Sequence, residues 1–184
     1  MRNRSIVLIG MPRVGKTTLG QRVANRLGCP FIDTDALIVE HHAAEAGIHR
    51  TCAEIHEALG EDAFRAQEQC ALVEAISLMP PHIIAAGGGA VLSFAKVPDL
   101  AQRVQILYLN GPIDVLLARW QASPLSWIKA QAVEAALTTC LAERHPQYQQ
   151  WADHEMVLTA GAHALAQHEA AIVAWIASLG PGAV

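Results

Sequence analysis

The chain has 184 residues, of which 52% are hydrophobic, and a formal net charge of −4 at pH 7. This length predicts one domain over residues 1–184 with enough chain to bury a core, and the apolar content excludes a disordered protein. Because no apolar run is long enough to cross a bilayer and no Lys/Arg cluster accompanies the negative charge, we expect neither a membrane nor a nucleic-acid partner.

The cysteines and histidines do not follow the spacing of a metal site. The cysteines are scattered, and the first residues carry no cleavable signal pattern, which predicts reduced thiols in a cytoplasmic protein: Cys29, Cys52, Cys70 and Cys140. His41 and His42 are adjacent on a predicted helix and therefore point in different directions. Solvent-exposed helix surface is the favoured interpretation for both histidines.

The first predicted strand and helix enclose a glycine-containing loop. An apolar run from Ser5 ends in Gly10, a helix is predicted from Lys16 to Leu27, and the spacing between them is G-x-x-x-x-G-K-T. Such a loop turns its backbone N–H groups toward an anion, and the helix N-terminus adds its dipole. The pattern favours a nucleotide site over an ordinary turn, with Lys16 at the β- and γ-phosphates and the Thr17 hydroxyl on Mg²⁺.

Two acidic residues follow the second predicted strand, residues 31–33. Asp33 and Asp35 lie at its carboxyl end, which in an open parallel sheet is the edge where ligands bind. The β-α-β order predicts that edge to be shared with the phosphate loop. An N-cap for the next helix is the alternative interpretation and is compatible with function for one of the two.

Three helices are predicted next, over residues 36–46, 53–59 and 61–79. A capping-box pattern at Thr51 and Glu54 precedes the second of them. In the third, Arg65 and Glu68 are three residues apart and share a face. From the residues alone, a surface ion pair is the favoured interpretation of this pair.

The remaining elements continue the α/β alternation. A strand over residues 82–86 ends in Gly87-Gly88-Gly89, which favours a surface for close ligand approach over a flexible turn. We predict further strands at residues 104–109 and 156–159, and helices at 113–120, 132–143 and 163–179. Residues from about 120 to 131 have no clean periodicity and predict a mobile lid.

The motifs together resemble the shikimate kinase family. They are G-x-x-x-x-G-K-T-T-x-G, F-I-D-T-D, F-R-x-x-E, G-G-G and R-x-P-x-Y, in this order between about residues 5 and 159. The resemblance implies a three-layer α/β/α P-loop kinase fold with a short, mainly parallel sheet of five strands. It also implies acceptor-binding helices at about residues 35–80, a lid at about 120–131, and transfer of the ATP γ-phosphoryl group to a shikimate hydroxyl with Mg²⁺. We expect a monomer.

The resemblance also implies roles for individual residues. Lys16 and Asp35 correspond to catalytic positions, Thr17 and Asp33 to Mg²⁺ ligands (Asp33 through water), and Glu68 to an acid that orients the substrate-binding arginine. The positions that correspond to nucleotide-binding residues are those of the loop and an arginine against the adenine: Gly10, Met11, Pro12, Arg13, Val14, Gly15, Lys16, Thr17, Thr18 and Arg119. The positions that correspond to substrate-binding residues are Asp35, Arg65, Gly87, Gly88, Gly89 and Arg144, and the two arginines correspond to those that bind the shikimate carboxylate.

The chain departs from the family pattern at two positions. The lid motif R-P-L-L is replaced by Ser-Pro-Leu-Ser, with Ser123 in place of the arginine, and Arg13 occupies a position that is commonly Gly. Lys129 is the favoured substitute cation and Arg13 the second choice, against the alternative that both are surface charges. Two other functions stay open: a kinase of another hydroxy acid such as gluconate, and a binding or regulatory protein with little turnover.

Overall fold

The fold is built on a five-stranded parallel sheet. The computed structural model describes residues 4–79, 81–123, 125, 128 and 130–180. The strands are β1 (Ser5–Ile9), β2 (Phe31–Asp33), β3 (Ile83–Ala85), β4 (Val104–Asn110) and β5 (His154–Val157). They lie in the order β2-β3-β1-β4-β5, and every pair of neighbours is parallel. The prediction of a short, five-stranded parallel sheet is confirmed.

Helices cover both faces of this sheet, since all five residues of β1 are buried. Eight α-helices occur in the described residues: α1 (Lys16–Leu27), α2 (Thr34–Ala46), α3 (Cys52–Leu59), α4 (Glu61–Ser77), α5 (Leu100–Arg103), α6 (Ile113–Ala122), α7 (Val133–Trp151) and α8 (Ala164–Ser178). Two 3-10 helices, Ala90–Lys96 and Ala130–Ala132, complete the set. The first of these and α5 lie in residues 90–103, for which the sequence pattern predicts no element.

The position of β1 places the ligand site. The chain leaves β1 for β2 on one side of the sheet and later reaches β4 on the other, so the strand order reverses beside β1. In parallel α/β sheets a crevice opens at the carboxyl ends of the strands at such a point. The loop at residues 10–15 lies there, between β1 and α1.

The helices of the 35–80 region form a small core of their own. Ile38 of α2, Ile55 of α3, and Phe64 and Ala71 of α4 pack together, apart from the main core around the sheet. α3 begins at the predicted capping box, in which the Thr51 hydroxyl accepts from the Glu54 N–H and the Glu54 carboxylate accepts from the Thr51 N–H. The three helices therefore form one unit beside the crevice.

The expected exposure of both adjacent histidines is wrong for His42. His42 follows Ile38 by four residues, so it lies on the buried face of α2. Its Nε2 is buried and has no hydrogen-bond partner within the part of the chain described above. His41 lies outside this face, half-exposed, with Nε2 3.1 Å from a carboxylate oxygen of Glu74.

The helix predicted at residues 132–143 is wrong at its carboxyl end. α7 continues to Trp151 with Pro146 inside it. Proline costs a helix one hydrogen bond, and here the buried residues on both sides, Arg144 and Tyr148, hold α7 against the rest of the protein. These tertiary contacts outweigh the unfavourable effect of Pro146 on the helix, because the intrinsic helix propensity of a residue only weakly determines its structure in a folded protein.

Several other predicted boundaries also shift. α2 begins at Thr34 rather than residue 36, and α4 ends at Ser77 rather than residue 79. The last strand is His154–Val157, not residues 156–159, because Leu107 to Asn110 of β4 pair with these four residues. Backbone pairing with a neighbour decided this register, and the apolar pattern of the strand did not reveal it.

The lid predicted at about residues 120–131 overlaps the end of α6, which extends to Ala122. Trp120 is fully buried within α6 and its indole N–H donates to the Pro12 carbonyl oxygen at 3.0 Å. The lid also includes residues 124, 126, 127 and 129, which lie outside the described residues, so the rest of the lid stays a prediction. The favoured substitute cation, Lys129, is among them.

All four cysteines lie in the described residues and are free. Within the same residues, no helix is long and apolar enough to cross a membrane. The described ranges also hold no cluster of three or more His, Cys, Asp or Glu side chains that could bind a metal ion.

Candidate active site

The loop after β1 is shaped by two glycines with positive φ angles. Gly10 has φ 143° and Gly15 has φ 113°, a region that residues with a side chain rarely adopt. The Lys16 ammonium donates to the carbonyl oxygens of Gly10 at 2.9 Å and Met11 at 3.0 Å. Burial lowers the pKa of Lys16 to about 8, against the opposing charges of Asp35 and Asp33. The loop thus wraps a buried cation at the start of α1.

The outer side of this loop is held by α6. The Arg119 guanidinium donates to the carbonyl oxygens of Arg13 at 2.8 Å and Val14 at 3.0 Å, next to the Trp120 bond to Pro12. Arg13 is exposed and has φ 63°, which is uncommon for a residue with a side chain. The backbone therefore still adopts the conformation that a glycine at this position would favour.

Thr17 and Asp33 meet at the start of α1. The Thr17 hydroxyl donates to Asp33 Oδ2 at 2.7 Å. Asp33 Oδ1 accepts from the Asp35 backbone N–H at 3.0 Å, so Asp33 is also the N-cap of α2. A hydroxyl and a carboxylate are hard oxygen donors of the kind that Mg²⁺ prefers, and Mg²⁺ typically adds water and phosphate oxygens. The donor set fits the predicted ion.

Asp35 lies in the first turn of α2 and has an unusual acidity. Burial raises its pKa to about 6, with further contributions from the charges of Asp33 and Glu68, while Lys16 and Arg65 oppose the rise. A carboxylate with a pKa this close to neutrality is suited to proton transfer. The side chain lies so close to Gly87 that a Cβ there would come within 2.6 Å of Asp35 Oδ1.

The interpretation of Arg65 and Glu68 as a surface ion pair is wrong, because Glu68 is buried and Arg65 is only partly exposed. Glu68 is 3% exposed and forms an ion pair with Arg65, which also contacts Glu61 at 2.6 Å. Burial raises the pKa of Glu68, and the Arg65 charge opposes this. Glu68 is buried because α4 packs against other elements of the fold and its carboxylate lies next to Gly87, contacts that the i, i+3 spacing does not reveal.

The glycine segment after β3 fits tightly between these side chains. A Cβ on Gly87 would also come within 2.9 Å of Glu68 Oε1, one on Gly88 within 2.6 Å of the Pro12 ring, and one on Gly89 would overlap the Arg65 guanidinium. The Gly87 N–H donates to the Thr34 hydroxyl at 2.9 Å. Glycine is required here because side chains from three other segments approach the backbone.

Arg144 and Tyr148 of α7 reach the same segment. Arg144 Nη1 donates to the Gly88 carbonyl oxygen at 3.3 Å, and the Tyr148 hydroxyl donates to the same oxygen at 2.6 Å. Both side chains are buried, and Arg144 Nε has no hydrogen-bond partner among the residues that the structure describes. A buried guanidinium N–H of this kind can still bind an anionic group.

A cavity of about 610 Å³ joins the nucleotide and metal residues. At one end it is lined by Lys16, Thr17, Asp33 and Asp35, and elsewhere by α6 with Arg119 and by the segment that leads into α8. Arg65, Gly88 and Arg144 do not line it. They adjoin it through Gly87, next to which both Asp35 and Glu68 lie. The predicted site residues therefore divide into those that line the cavity and those of an adjoining wall, which we call the acceptor wall after its predicted role.

Three residues of this region were missed by the sequence analysis. Tyr148 belongs to the R-x-P-x-Y motif, which was its signal, but it was assigned no role. Trp120 and His168 carry no such signal. His168 lines the cavity, 152 positions after Lys16, so only the folded structure brings the two together.

A P-loop beside an acid with a raised pKa and a closely packed glycine segment defines a P-loop kinase that acts on small molecules. The sequence model of the shikimate kinase family matches residues 12–176. The chain therefore belongs to the shikimate kinase family, whose members are ATP-dependent phosphotransferases that use Mg²⁺. The predicted family and class of enzyme are confirmed.

Individual relatives agree with this assignment. The chain is 36% identical to a shikimate kinase of Halorhodospira halophila over 85% of each chain. It is 41% identical to one of Corynebacterium jeikeium over 64% of this chain and 58% of that protein. The solved shikimate kinase of Acinetobacter baumannii, in complex with shikimate, matches with a TM-score of 0.80 and 29% identity over 97% of this chain and 96% of that one.

A gluconokinase from Sinorhizobium meliloti has a TM-score of 0.61 at 20% identity, over 97% of this chain and 95% of that one. This likeness shows a shared fold and no more. The comparisons do not favour the gluconate alternative.

Proposed function

We propose that this chain transfers the γ-phosphoryl group of ATP to a hydroxyl of shikimate, giving shikimate 3-phosphate and ADP. The observation that carries the proposal is the position of Asp35, which lines the cavity with Lys16 and contacts the Gly87 side of the acceptor wall. A hydroxyl bound there would lie between a carboxylate and the phosphate loop. Such a position would suit direct transfer, because it brings the acceptor hydroxyl close to the phosphates.

The nucleotide end is assigned to the loop and α6. Residues 10–18 would hold the phosphates through backbone N–H groups, and Lys16 would exchange its bonds to Gly10 and Met11 for bonds to the β- and γ-phosphates. Arg119 is anchored on the loop carbonyls and lines the same cavity, so its guanidinium plane is available to the adenine. This is the role that the resemblance gives it.

Thr17 and Asp33 are the residues that would hold Mg²⁺, Thr17 directly and Asp33 through water. The bound ion would supply neutralisation of negative charge on the phosphate oxygens. The hydrogen bond between the two side chains keeps both oxygens at one position before ligands arrive.

Asp35 would orient the acceptor hydroxyl and receive its proton. Since its pKa is about 6, Asp35 is mostly ionised at neutral pH and remains basic enough to take a proton as the new bond forms. Glu68 maintains the orientation of Arg65 through their buried ion pair. The guanidinium groups of Arg65 and Arg144 would bind the shikimate carboxylate, with Gly87, Gly88 and Gly89 under the ring.

One observation favours a second candidate, a protein that binds both ligands and turns over slowly. Ser123 is exposed at the end of α6 and offers no positive charge to the phosphates. Loss of one such donor costs about 10²–10³ in rate in other enzymes. We further propose that the protein is a cytoplasmic monomer without nucleic-acid or membrane partners, in line with its net charge of −4.

The test is a coupled assay of ADP release with ATP and Mg²⁺, in parallel with shikimate, gluconate and no acceptor. Shikimate-dependent ADP release, with shikimate 3-phosphate identified by mass spectrometry, would support the first proposal. Binding of ADP and shikimate without turnover would favour the second candidate. ADP release that responds to gluconate and not to shikimate would contradict both.

A further inference from the structure

His168 of α8 is bonded to the segment that follows β5. Its Nε2 lies 3.0 Å from the Thr159 backbone nitrogen and 3.3 Å from the Thr159 hydroxyl oxygen. His168 is 9% exposed, and Thr159, Ala160, Gly161 and His168 itself line the cavity that also contains Lys16. The histidine thus fixes a part of the cavity wall to which the nucleotide function has given no role.

This wall differs in chemistry from the part of the cavity that holds the predicted phosphate and metal residues. Lys16, Thr17, Asp33 and Asp35 account for the polar end, whereas Pro112, Val115, Leu116, Leu158 and Ala160 supply apolar and backbone surface. A flat nucleobase with hydrogen-bonding edges fits such surface better than a phosphate does. The segment at residues 158–161 therefore offers a surface suited to the base of ATP.

We propose that neutral His168 is a positioning residue for nucleotide binding, because it holds the Thr159 segment in the form that completes this wall. The proposal rests on the proposed function for the identity of the cavity as the ATP site. A backbone N–H can only donate, so Nε2 must be the unprotonated nitrogen of the ring. Protonation of Nε2 would replace the acceptor with a donor that faces the Thr159 N–H and break the bond.

The segment has few other attachments of this kind. The Leu158 N–H donates to the Asn110 carbonyl oxygen at 2.8 Å, and the Ala164 N–H donates to the Gly161 carbonyl oxygen at 3.2 Å. Between these two points, His168 makes the side-chain contact that fixes the backbone at Thr159. Loss of the contact would free the middle of the wall while leaving both of its ends in place.

Burial lowers the pKa of His168, and burial alone accounts for the shift. α1 packs on α8 and contributes Arg22 and Arg26, but both pair with the adjacent Glu169. The other charged groups of the cavity are Arg13, Lys16, Asp33, Asp35 and Arg119. Because the neutral ring is the form that accepts, ADP affinity should be full above the pKa of His168 and fall as the pH drops through it.

The experiment measures ADP affinity by calorimetry from about pH 8 to about pH 5 for the wild type, His168→Gln and His163→Gln. Gln at position 168 keeps an acceptor but does not titrate, whereas His163 is an exposed histidine at the start of the same helix and serves as the control. The phosphates of ADP and Asp35 titrate identically in all three proteins. The proposal therefore predicts that, as the pH is lowered, the ADP affinity of His168→Gln falls less than the ADP affinities of the wild type and of His163→Gln.

A third variant, His168→Leu, removes the acceptor at every pH and should weaken ADP about tenfold at pH 8, with shikimate affinity within about twofold of wild type. The same pH dependence in His168→Gln as in the wild type would overturn the proposal, and so would unchanged ADP affinity in His168→Leu. These binding measurements do not need turnover. If ADP binds as described but shikimate-dependent ADP release is absent, the proposed function fails and the role of His168 stands.

Discussion

Arg144 and Tyr148, one helical turn apart on α7, donate to the same carbonyl oxygen, that of Gly88. The i, i+4 spacing puts both side chains on one face of the helix, and both are buried. The shared acceptor couples the proposed carboxylate clamp to the glycine segment. Tyr148 is thereby a positioning residue for the acceptor wall.

Tyr148→Phe should raise the KM for shikimate several-fold and leave the KM for ATP unchanged, because Gly88 and Arg144 would lose a common anchor. Steady-state kinetics with each substrate varied would check this. Tyr108→Phe is the matched control, since the Tyr108 ring stacks on Tyr148 while its hydroxyl bonds His145 at 2.8 Å and not Gly88. Equal effects of the two variants on the KM for shikimate would mean that the packing of the tyrosine rings, and not the bond to Gly88, sets this KM.

Lys16→Ala should lower kcat by about 10²-fold or more, because the buried ammonium would neutralise charge that develops on the transferred phosphoryl group. Lys96→Ala removes an exposed lysine and should leave kcat unchanged. The measurement is shikimate-dependent ADP release at saturating substrates. Near-normal turnover in Lys16→Ala would refute the assignment of the phosphate loop.

Arg144→Ala and Arg65→Ala should each weaken shikimate binding strongly while ADP affinity stays almost unchanged, because neither arginine lines the nucleotide cavity. Separate titrations with ADP and with shikimate would measure this. Arg65→Ala also leaves Glu68 buried without its ion-pair partner, so its Tm must be measured alongside. Arg103→Ala, whose guanidinium bonds the Ser77 hydroxyl, is the control. Loss of ADP binding with shikimate binding retained would show that the arginines bind the nucleotide and not shikimate.

Asp35 gives activity and stability opposite pH dependences. As a base it must be ionised, so kcat should fall as the pH drops below about 6. Its pKa in the fold is raised above 3.8, so the charged form is disfavoured there, and the stability that Asp35 contributes is lost as the pH rises through about 6.

Asp35→Asn should therefore abolish most turnover and raise Tm at about pH 8, with little change at about pH 4, where the wild-type carboxyl is largely neutral in the fold. Thermal unfolding at both pH values and a kcat profile would check this. A lower Tm at pH 8 in Asp35→Asn would show that Asp35 stabilises the fold as an anion, contrary to the raised pKa.

The missing lid arginine predicts a gain of function. Ser123→Arg should raise kcat if the natural site lacks a cation over the phosphates, and Lys129→Ala should lower kcat more than it raises KM if Lys129 substitutes. Arg13→Ala should lower kcat only if Arg13, which lines the cavity and is the second choice, replaces the missing arginine. Wild-type turnover in Lys129→Ala, measured by steady-state kinetics, would reject Lys129 as the substitute.

The sequence alone determined the features that depend on neighbours along the chain. The loop from Gly10 to Thr17, the acids Asp33 and Asp35 after a short strand, and the capping box at Thr51 are local patterns, whose geometry depends on residues close in the sequence. The parallel sheet and the family followed from their order, and both are confirmed. The roles of the individual site residues stay predictions.

Tertiary structure decided what depends on distant neighbours. Glu68 and His42 are buried because other helices pack over them, and α7 passes through Pro146 because its contacts outweigh one lost hydrogen bond. The bond from His168 to Thr159 and the shared carbonyl of Gly88 join segments whose spacing in sequence carries no periodic signal. Burial and hydrogen bonding depend on which surfaces meet in the fold, and a pattern of residue types along the chain does not specify those surfaces.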